Sequence, residues 1–311
     1  VLVLADVPGW AWDRKARAYA EHLSNRFRIT VAYHATVPPL TDFDLVHCFE
    51  VSQTGILSGH DPATRPFKAV AGLTANVWRT WGPTRMHEWA SRVDALHGNS
   101  VLIAKELAPF HPRVYYTPNG VDPVTYQRRG PRPPGPLVFG HVGKLNPRKG
   151  GEIIVRAARA AKVELRLIQR TAKLALSEAQ MVDWYQGIDV MVTASNMDGT
   201  PNPMLEGAAC ECALLSTAIG NMPEFIVDGR NGILLQQTLP YLQPGPDLPG
   251  EPAQQRIEAL TEEIAHWMRT LSEDAARTAA MGRNARDTVL DGWTWAQQTA
   301  AVARMWFEVL G

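Results

Sequence analysis

The chain has 311 residues, 45% of them apolar and 20% charged, with no long low-complexity tract; this excludes a disordered protein and leaves room for two ordinary soluble domains. With 31 basic residues against 31 acidic ones, the protein is not built to coat nucleic acid or anionic membrane over its whole surface. Cys48, Cys210 and Cys212 cannot complete a set of bridges and lack C-x-x-C spacing, which points to a reducing, cytoplasmic setting. The opening VLVLADVP has no basic n-region or small-residue cleavage site and reads as a strand. No segment approaches the roughly 18 apolar residues of a transmembrane span, so any membrane contact is expected to be peripheral, at the inner face.

In chain order, VLVLAD, RITVAY, DLVHCF, KAVAGL, ALHGNS and RVYYTP predict strands in the first half, with RKARAYAEHL as its first helix. Apolar runs alternating with helical text are the pattern of a parallel sheet covered on both faces. This half, to residue 135, holds 15 Lys or Arg against 11 Asp or Glu and seven of the nine His, so it is mildly basic. At QRRGPRPPGP, prolines and glycines end regular structure and predict a linker. Beyond it LVFGHVG, VELRLIQ, DVMVTAS, ALLSTA and GILLQ predict a second parallel sheet, with GEIIVRAARAA as a helix. Residues 236–254, rich in Pro and Gly, predict a surface excursion, and two helices are expected to close the chain. The last, TWAQQTAAVARMWFEVLG, carries Trp295, Thr299, Val302, Met305, Trp306 and Val309 on one broad, mainly apolar face. The expected fold is α/β, two Rossmann-like domains over 1–134 and 135–290, with residues 291–311 a helix crossing back to pack on the first domain.

Two segments carry chemistry. In TASNMDGTPNPMLEG, a strand ends at Thr193 or Ala194, a loop follows, and a helix opens with Asn202 as N-cap and Pro203 as first residue. Unpaired N–H groups at such a start, with Gly199 permitting close approach, suit a diphosphate. Asp198 and Glu206 flank that position, and carboxylates accept hydrogen bonds from sugar hydroxyls. Equally, Asp198 can simply begin a turn, and Glu206 can complement the first helical turn. In FGHVGKLNPRKGG, Lys144, Arg148 and Lys149 gather positive charge in one strand-to-helix loop, either as a phosphate clamp or as a solvated basic turn. It is not a Walker loop.

These residues give the second half a resemblance to the GT-B glycosyltransferases of family 4. Gly143, Lys144, Leu145, Lys149 and Gly150 match the family's G-R-L-x-x-x-K-G except at the arginine; Asp198 and Glu206 have the spacing of its E-x7-E; and PNGVD at 118–122 resembles its I-P-N-G-V-D. The resemblance implies a retaining transfer from a nucleotide diphosphate sugar, UDP-linked by family frequency, with no metal or other cofactor, to a hydroxyl acceptor. Lys149, Lys144, Asp198 and Glu206 would form the catalytic set: the lysines on the diphosphate, Glu206 on the ribose, Asp198 on the transferred sugar. Gly143, Arg148, Gly199, Thr200, Pro201, Asn202 and Glu224 would complete the donor site. Lysine for arginine at Lys144 loses a planar fork, and Asp198 is one methylene shorter than the family glutamate.

For the acceptor, which could be a glycan, a lipid carrier, a small molecule or a nucleic-acid base, the reading stays open. His47 falls near a family position by the acceptor cleft or is a structural strand-end histidine. Trp78, Arg79 and Trp81, with Arg85 and Trp89, either present an exposed patch or pack inward under snorkelling arginines. Trp10 and Trp12 line the cleft or lie beneath it. An epimerase or hydrolase on this fold, or a non-catalytic sugar-nucleotide sensor, are the rival functions.

Overall fold

The computed structural model describes residues 1–132, 134–169, 176–237 and 253–311. They form two compact units, one of residues 1–120 with 295–311 and the other of residues 121–294.

The first unit runs β1 (Leu2–Ala5), α1 (Ala11–Leu23), β2 (Thr30–Tyr33), β3 (Leu45–Cys48), β4 (Lys68–Leu73), α2 (Trp78–Trp81), α3 (Pro83–Ala90), β5 (Ala95–Gly98), α4 (Val101–Leu107) and β6 (Val114–Tyr116). All six predicted strands are present, pairing in parallel in the order β2-β1-β3-β4-β5-β6. The strand order reverses between β1 and β3, which makes their carboxyl ends the topological switch point. Helix α1 forms because Lys15, Ala16, Tyr19 and Leu23 recur on one buried face.

The second unit contains β7 (Val138–Val142), α5 (Gly151–Ala161), β8 (Glu164–Ile168), α6 (Glu178–Gln186), β9 (Val190–Thr193), α7 (Asn202–Ala209), β10 (Ala213–Thr217), α8 (Met222–Phe225), β11 (Gly232–Leu235), α9 (Ala253–Glu273) and α10 (Ala275–Gly292). Its sheet is also parallel, in the order β11-β10-β9-β7-β8, with the reversal between β7 and β9. One core cluster lies around Tyr185, Leu214 and Phe225, another around Phe139, Ile154 and Met268.

The last helix, α11 (Trp295–Leu310), belongs to the first unit. Its Val302, Met305, Trp306 and Val309 are buried with Val3, Ala16 and Tyr19, and Trp306 stands edge-on to Tyr19 at 5.9 Å and to Phe27 at 5.1 Å.

Two local expectations are corrected, and one falls outside the described residues. Three helices, not two, close the chain, because Asp274 caps α10 by accepting from Arg277 N and so divides it from α9. Residues 121–132, read from the sequence as the end of the first domain, pack in the second unit: Val121 bonds to Trp293, Tyr126 is buried there, and Arg128 donates to the carbonyls of Gln186, Ile188 and Cys210. The predicted excursion at 236–254 lies, from residue 238 to 252, outside the described residues.

Candidate functional site

Three loops come together at the carboxyl end of the second sheet. The β7–α5 loop ends at Gly150, whose φ of 63° is left-handed and whose absent Cβ would stand 2.3 Å from the Ala194 carbonyl oxygen. Only glycine permits that approach. The contact fastens this loop to the one after β9, and Asn196 N and Ser195 Oγ both donate to Arg148 O, at 3.0 and 3.1 Å. On the other side Gly220, φ 55°, would place a Cβ 2.2 Å from Gly199 O, which already accepts from Asn221 N at 2.9 Å. Thr217 Oγ1 donates to Ser195 O at 2.7 Å, tying the end of β10 to the same loop.

The sequence-predicted residues are placed by these loops. Lys149 and Asp198, far apart in the chain, form a part-buried ion pair. The lysine backbone is set by Asn146, whose Oδ1 accepts from Lys149 N at 3.0 Å. Lys144 and Arg148 are exposed on the same loop, and Gly143 is half-buried. Gly199, Thr200 and Pro201 are buried around Asp198, which is 8% exposed.

The helix start differs from the expectation. Asn202 is the first residue of α7 rather than its cap, Pro203 lies in the first turn, and no side-chain cap bond forms at Pro201. Pro201 has no N–H to offer, and Asn202 N donates within the loop to Thr200 O at 2.9 Å. The amide contribution to an anion is therefore narrower than the loop's length suggests.

Glu206, one turn inside α7, is 2% exposed. Its Oε2 accepts from Tyr185 Oη at 2.7 Å, and burial, reinforced by the Glu206 charge, pushes the tyrosine hydroxyl well above its ordinary pKa. The phenol therefore stays protonated and keeps donating. Glu224 is half-buried on α8.

Two residues at this end were not singled out from sequence. His141, on β7, is 2% exposed and donates through Nδ1 to Val192 O at 2.9 Å. Carbonyls only accept, so Nε2 is left as an unprotonated acceptor, without a partner among the described residues. Burial, with Lys149 adding positive potential, holds this imidazole below its usual pKa. A Cβ on Gly143 would sit 2.8 Å from that same Nε2, which explains the glycine there. Asn221 is fully buried beside Gly199, and neither atom of its side-chain amide has a partner among the described residues. The available signal was position: His141 lies near the end of β7, at the reversal, and Asn221 lies in the loop after β10. Among the described residues no three His, Cys, Asp or Glu side chains gather to hold a metal ion, and no helix is long and apolar enough to cross a membrane.

In the first unit the acceptor-side candidates do not form one group. Trp10 is 43% exposed in the turn before α1; that turn is held by Asp13, which accepts from Gly9 N at 2.7 Å and from Tyr33 Oη at 2.6 Å. Burial raises the Asp13 carboxyl, but the bonds from Tyr33, Gly9 and Arg17 outweigh it and lower the pKa. Trp12 packs partly buried against the core. His47 is wholly enclosed: Trp306 Nε1 donates to its Nδ1 at 3.1 Å, and a ligand would reach it only by displacing core side chains. Trp78, Trp81 and Trp89 pack against a core cluster. Glu106 accepts from Trp78 Nε1 at 2.7 Å and from Arg79 at 2.8 Å, Arg79 lies over Trp78, and Arg85 over Trp89. This is the inward-packed alternative, with arginines covering tryptophans.

Comparisons agree with this geometry. Residues 136–240 match the family model described as glycosyl transferases group 1. No curated protein matches the sequence. Among solved structures, the chain is similar to sucrose-phosphate synthase from Thermosynechococcus elongatus (TM-score 0.75, 13% identity, 99% of each chain covered). It is also similar to Anabaena HepE in complex with UDP-glucose (0.70, 14%, 99% of each) and to a glycosyltransferase from Rickettsia africae (0.69, 10%, 99% of this chain and 98% of that one). The chain thus has the GT-B fold of two parallel-sheet α/β units, and residues 136–240 of its second unit are similar to the glycosyl transferases group 1 family.

Proposed function

We propose that the protein is a retaining glycosyltransferase that takes its sugar from a nucleotide diphosphate sugar, UDP-linked by preference, without a metal ion. The observation that carries this reading is the convergence of the β7–α5 and β9–α7 loops, which sets Lys149 against Asp198 beside the start of α7. The UDP-glucose bound by the similarly folded Anabaena protein supports a uridine donor.

In this reading the Lys149 ammonium, with Lys144 and Arg148 nearby on the loop, meets the diphosphate. Asp198 already fixes the lysine and accepts from hydroxyls of the transferred sugar. Glu206, oriented by Tyr185, accepts from the ribose. As the bond from the anomeric carbon to the phosphate oxygen breaks, negative charge grows on the leaving diphosphate, and fixed cations stabilise it more than they stabilise the ground state. The acceptor oxygen bonds to the same face of that carbon, and its proton passes to the departing phosphate oxygen.

The test is to incubate the full chain with UDP- and GDP-sugars and a broad acceptor panel, with and without a chelator, following products by mass spectrometry and anomeric proton couplings. A retained anomer and chelator-insensitive turnover are expected. An inverted product overturns the stereochemical assignment, metal-dependent turnover overturns metal independence, and binding with no turnover on any acceptor favours the non-catalytic sensor. Failure to bind any nucleotide sugar removes the donor site altogether.

A further inference from the structure

We propose that His141 is a positioning residue of the donor site: its imidazole ties the end of β9 to the end of β7 and so sets the Asp198 loop against the Lys149 loop. The assignment rests on the donor-site reading given above.

The register of the second sheet creates the need for such a tie. β7 pairs with β9 as far as Gly140 opposite Met191, although β7 goes on pairing with β8 to Val142 opposite Ile168, and β9 with β10 to Thr193 opposite Ser216. Each strand thus keeps its outer neighbour while the two central ones part. They part at the reversal of strand order, where doubly wound sheets open a crevice for ligands. A backbone carbonyl that loses its ladder partner must find another donor. For Val192, one residue past the last pair, a side chain supplies it: His141 Nδ1 donates to Val192 O at 2.9 Å.

The ring is wedged into the gap. It is 2% exposed, and Nε2 lies 2.8 Å from where a Cβ on Gly143 would stand. Gly143 is held from its other side, its N–H donating to Ile168 O at 2.9 Å. Lys149 follows Gly143 by six residues and Asp198 follows Val192 by six, so the imidazole sits at the root of both loops. The ties farther out, from Ser195 and Asn196 to Arg148 O, join loop to loop; His141 joins the strands from which the loops spring. Burial lowers the pKa of the ring more than the bond to Val192 raises it, and Lys149 adds to the lowering. The imidazole is therefore neutral near about pH 7, with its one proton on Nδ1, where the tie needs it.

The lysine meets the diphosphate and the aspartate meets the transferred sugar, so both act on one molecule. An error in their separation therefore weakens a nucleotide sugar more than the free diphosphate, which does not use Asp198.

Leucine and asparagine have nearly the same shape, and asparagine places an amide N–H close to where the imidazole Nδ1–H stands, so His141→Leu and His141→Asn separate the bond from the volume. In His141→Leu, the Kd of the UDP- or GDP-sugar that the wild type binds best should rise about tenfold, the equivalent of one lost hydrogen bond, while the Kd of the matching free diphosphate rises less than about threefold. His141→Asn should restore the sugar nucleotide to within about threefold of the wild type. Calorimetric titration reads these values at a temperature where circular dichroism shows all three chains folded. With no ligand present, amide exchange over residues 194–200 should quicken about fivefold or more in the leucine variant and not in the asparagine variant. Nitrogen-15 spectra of the wild type, which need no variant to fold, should show His141 as the neutral Nδ1–H tautomer. The Nε2–H tautomer overturns the proposal, as does equal exchange in the two variants. So does an unchanged affinity for the nucleotide sugar in His141→Leu, or an equal loss for the nucleotide sugar and the free diphosphate. A wild type that binds no nucleotide sugar is a different result: it refutes the donor site itself, and the proposal falls with it.

Discussion

At the carboxyl end of the second sheet the charged residues have partners: Lys149 meets Asp198, Glu206 accepts from Tyr185, and the loops bearing them are tied through Arg148 O, Ala194 and Gly199. Inside the first unit, Lys15 Nζ, Tyr19 Oη and His47 Nε2 are enclosed with no hydrogen-bond partner among the described residues. A paired, cross-tied arrangement fixes geometry before any ligand arrives, which is what transition-state stabilisation by fixed charge requires. Enclosed donors without acceptors instead carry a standing desolvation cost. The two groups therefore differ in what a substitution should do: removing a cation from the second unit's loops should harm function, and removing Lys15 from the first unit should raise stability.

The largest effect is expected at Lys149. Lys149→Ala should abolish turnover and weaken donor binding by about 2 kcal/mol or more, roughly 30-fold, as loss of a charge-assisted contact does. Calorimetric titration of the preferred nucleotide sugar measures this, with circular dichroism confirming the fold. Unchanged binding would mean that the Lys149–Asp198 pair is only structural, and the contrast between the two units would fail.

Lys15→Met should change stability in the opposite direction. A lysine whose pKa falls from its ordinary 10.5 to about 7 on folding binds its proton less readily in the folded chain. Above pH 10.5 both states are neutral and nothing is lost. Between there and pH 7 only the unfolded chain is protonated, so the penalty grows as pH falls; below pH 7 it is constant. Methionine should therefore stabilise the first unit by on the order of 4 kcal/mol at pH 7, a gain that shrinks toward zero by pH 10.5. Urea unfolding across that range checks it, and a pH-independent gain would show that packing rather than charge is responsible.

Gly220→Ala tests whether the cross-ties of the second unit matter. The left-handed backbone and the 2.2 Å approach of a Cβ to Gly199 O should together cost on the order of 3 kcal/mol. Since Gly199 adjoins Asp198, donor affinity should fall as well. Stability loss without any effect on donor binding would separate this loop from the site.

The eleven strands of the two sheets were legible in the sequence because parallel strands buried on both faces read as short apolar runs between turn signals. The strand-to-helix loops were legible because their glycines and cations lie close in sequence. Several other features depend on partners far along the chain. The Lys149–Asp198 pair joins two loops, Tyr185 comes to Glu206 from the preceding helix, and His47 is claimed by Trp306 from the last helix of the chain. Lys15 reads locally as one cation among Arg14 and Arg17; only the packing of Phe49 and α11 around α1 shows that it is enclosed. Asn202 was misjudged by one position because Pro201 and Pro203 both fit a helix start.

The smallest effect is expected in the tryptophan- and arginine-rich segment of the first unit. Arg79 covers Trp78 and pairs with Glu106, but its side chain is 48% exposed, and water screens such a pair. Arg79→Ala should therefore cost less than about 1 kcal/mol and leave donor affinity unchanged, since the residue lies in the first unit and its partners are Glu106 and Trp78. Glu106 would keep its bond from the Trp78 indole, so the tryptophan should hold its place. Intrinsic fluorescence and urea unfolding measure both consequences. A large loss of turnover with stability intact would instead put the guanidinium on a substrate, and the aromatic segment would become part of the acceptor site rather than a cover for the core.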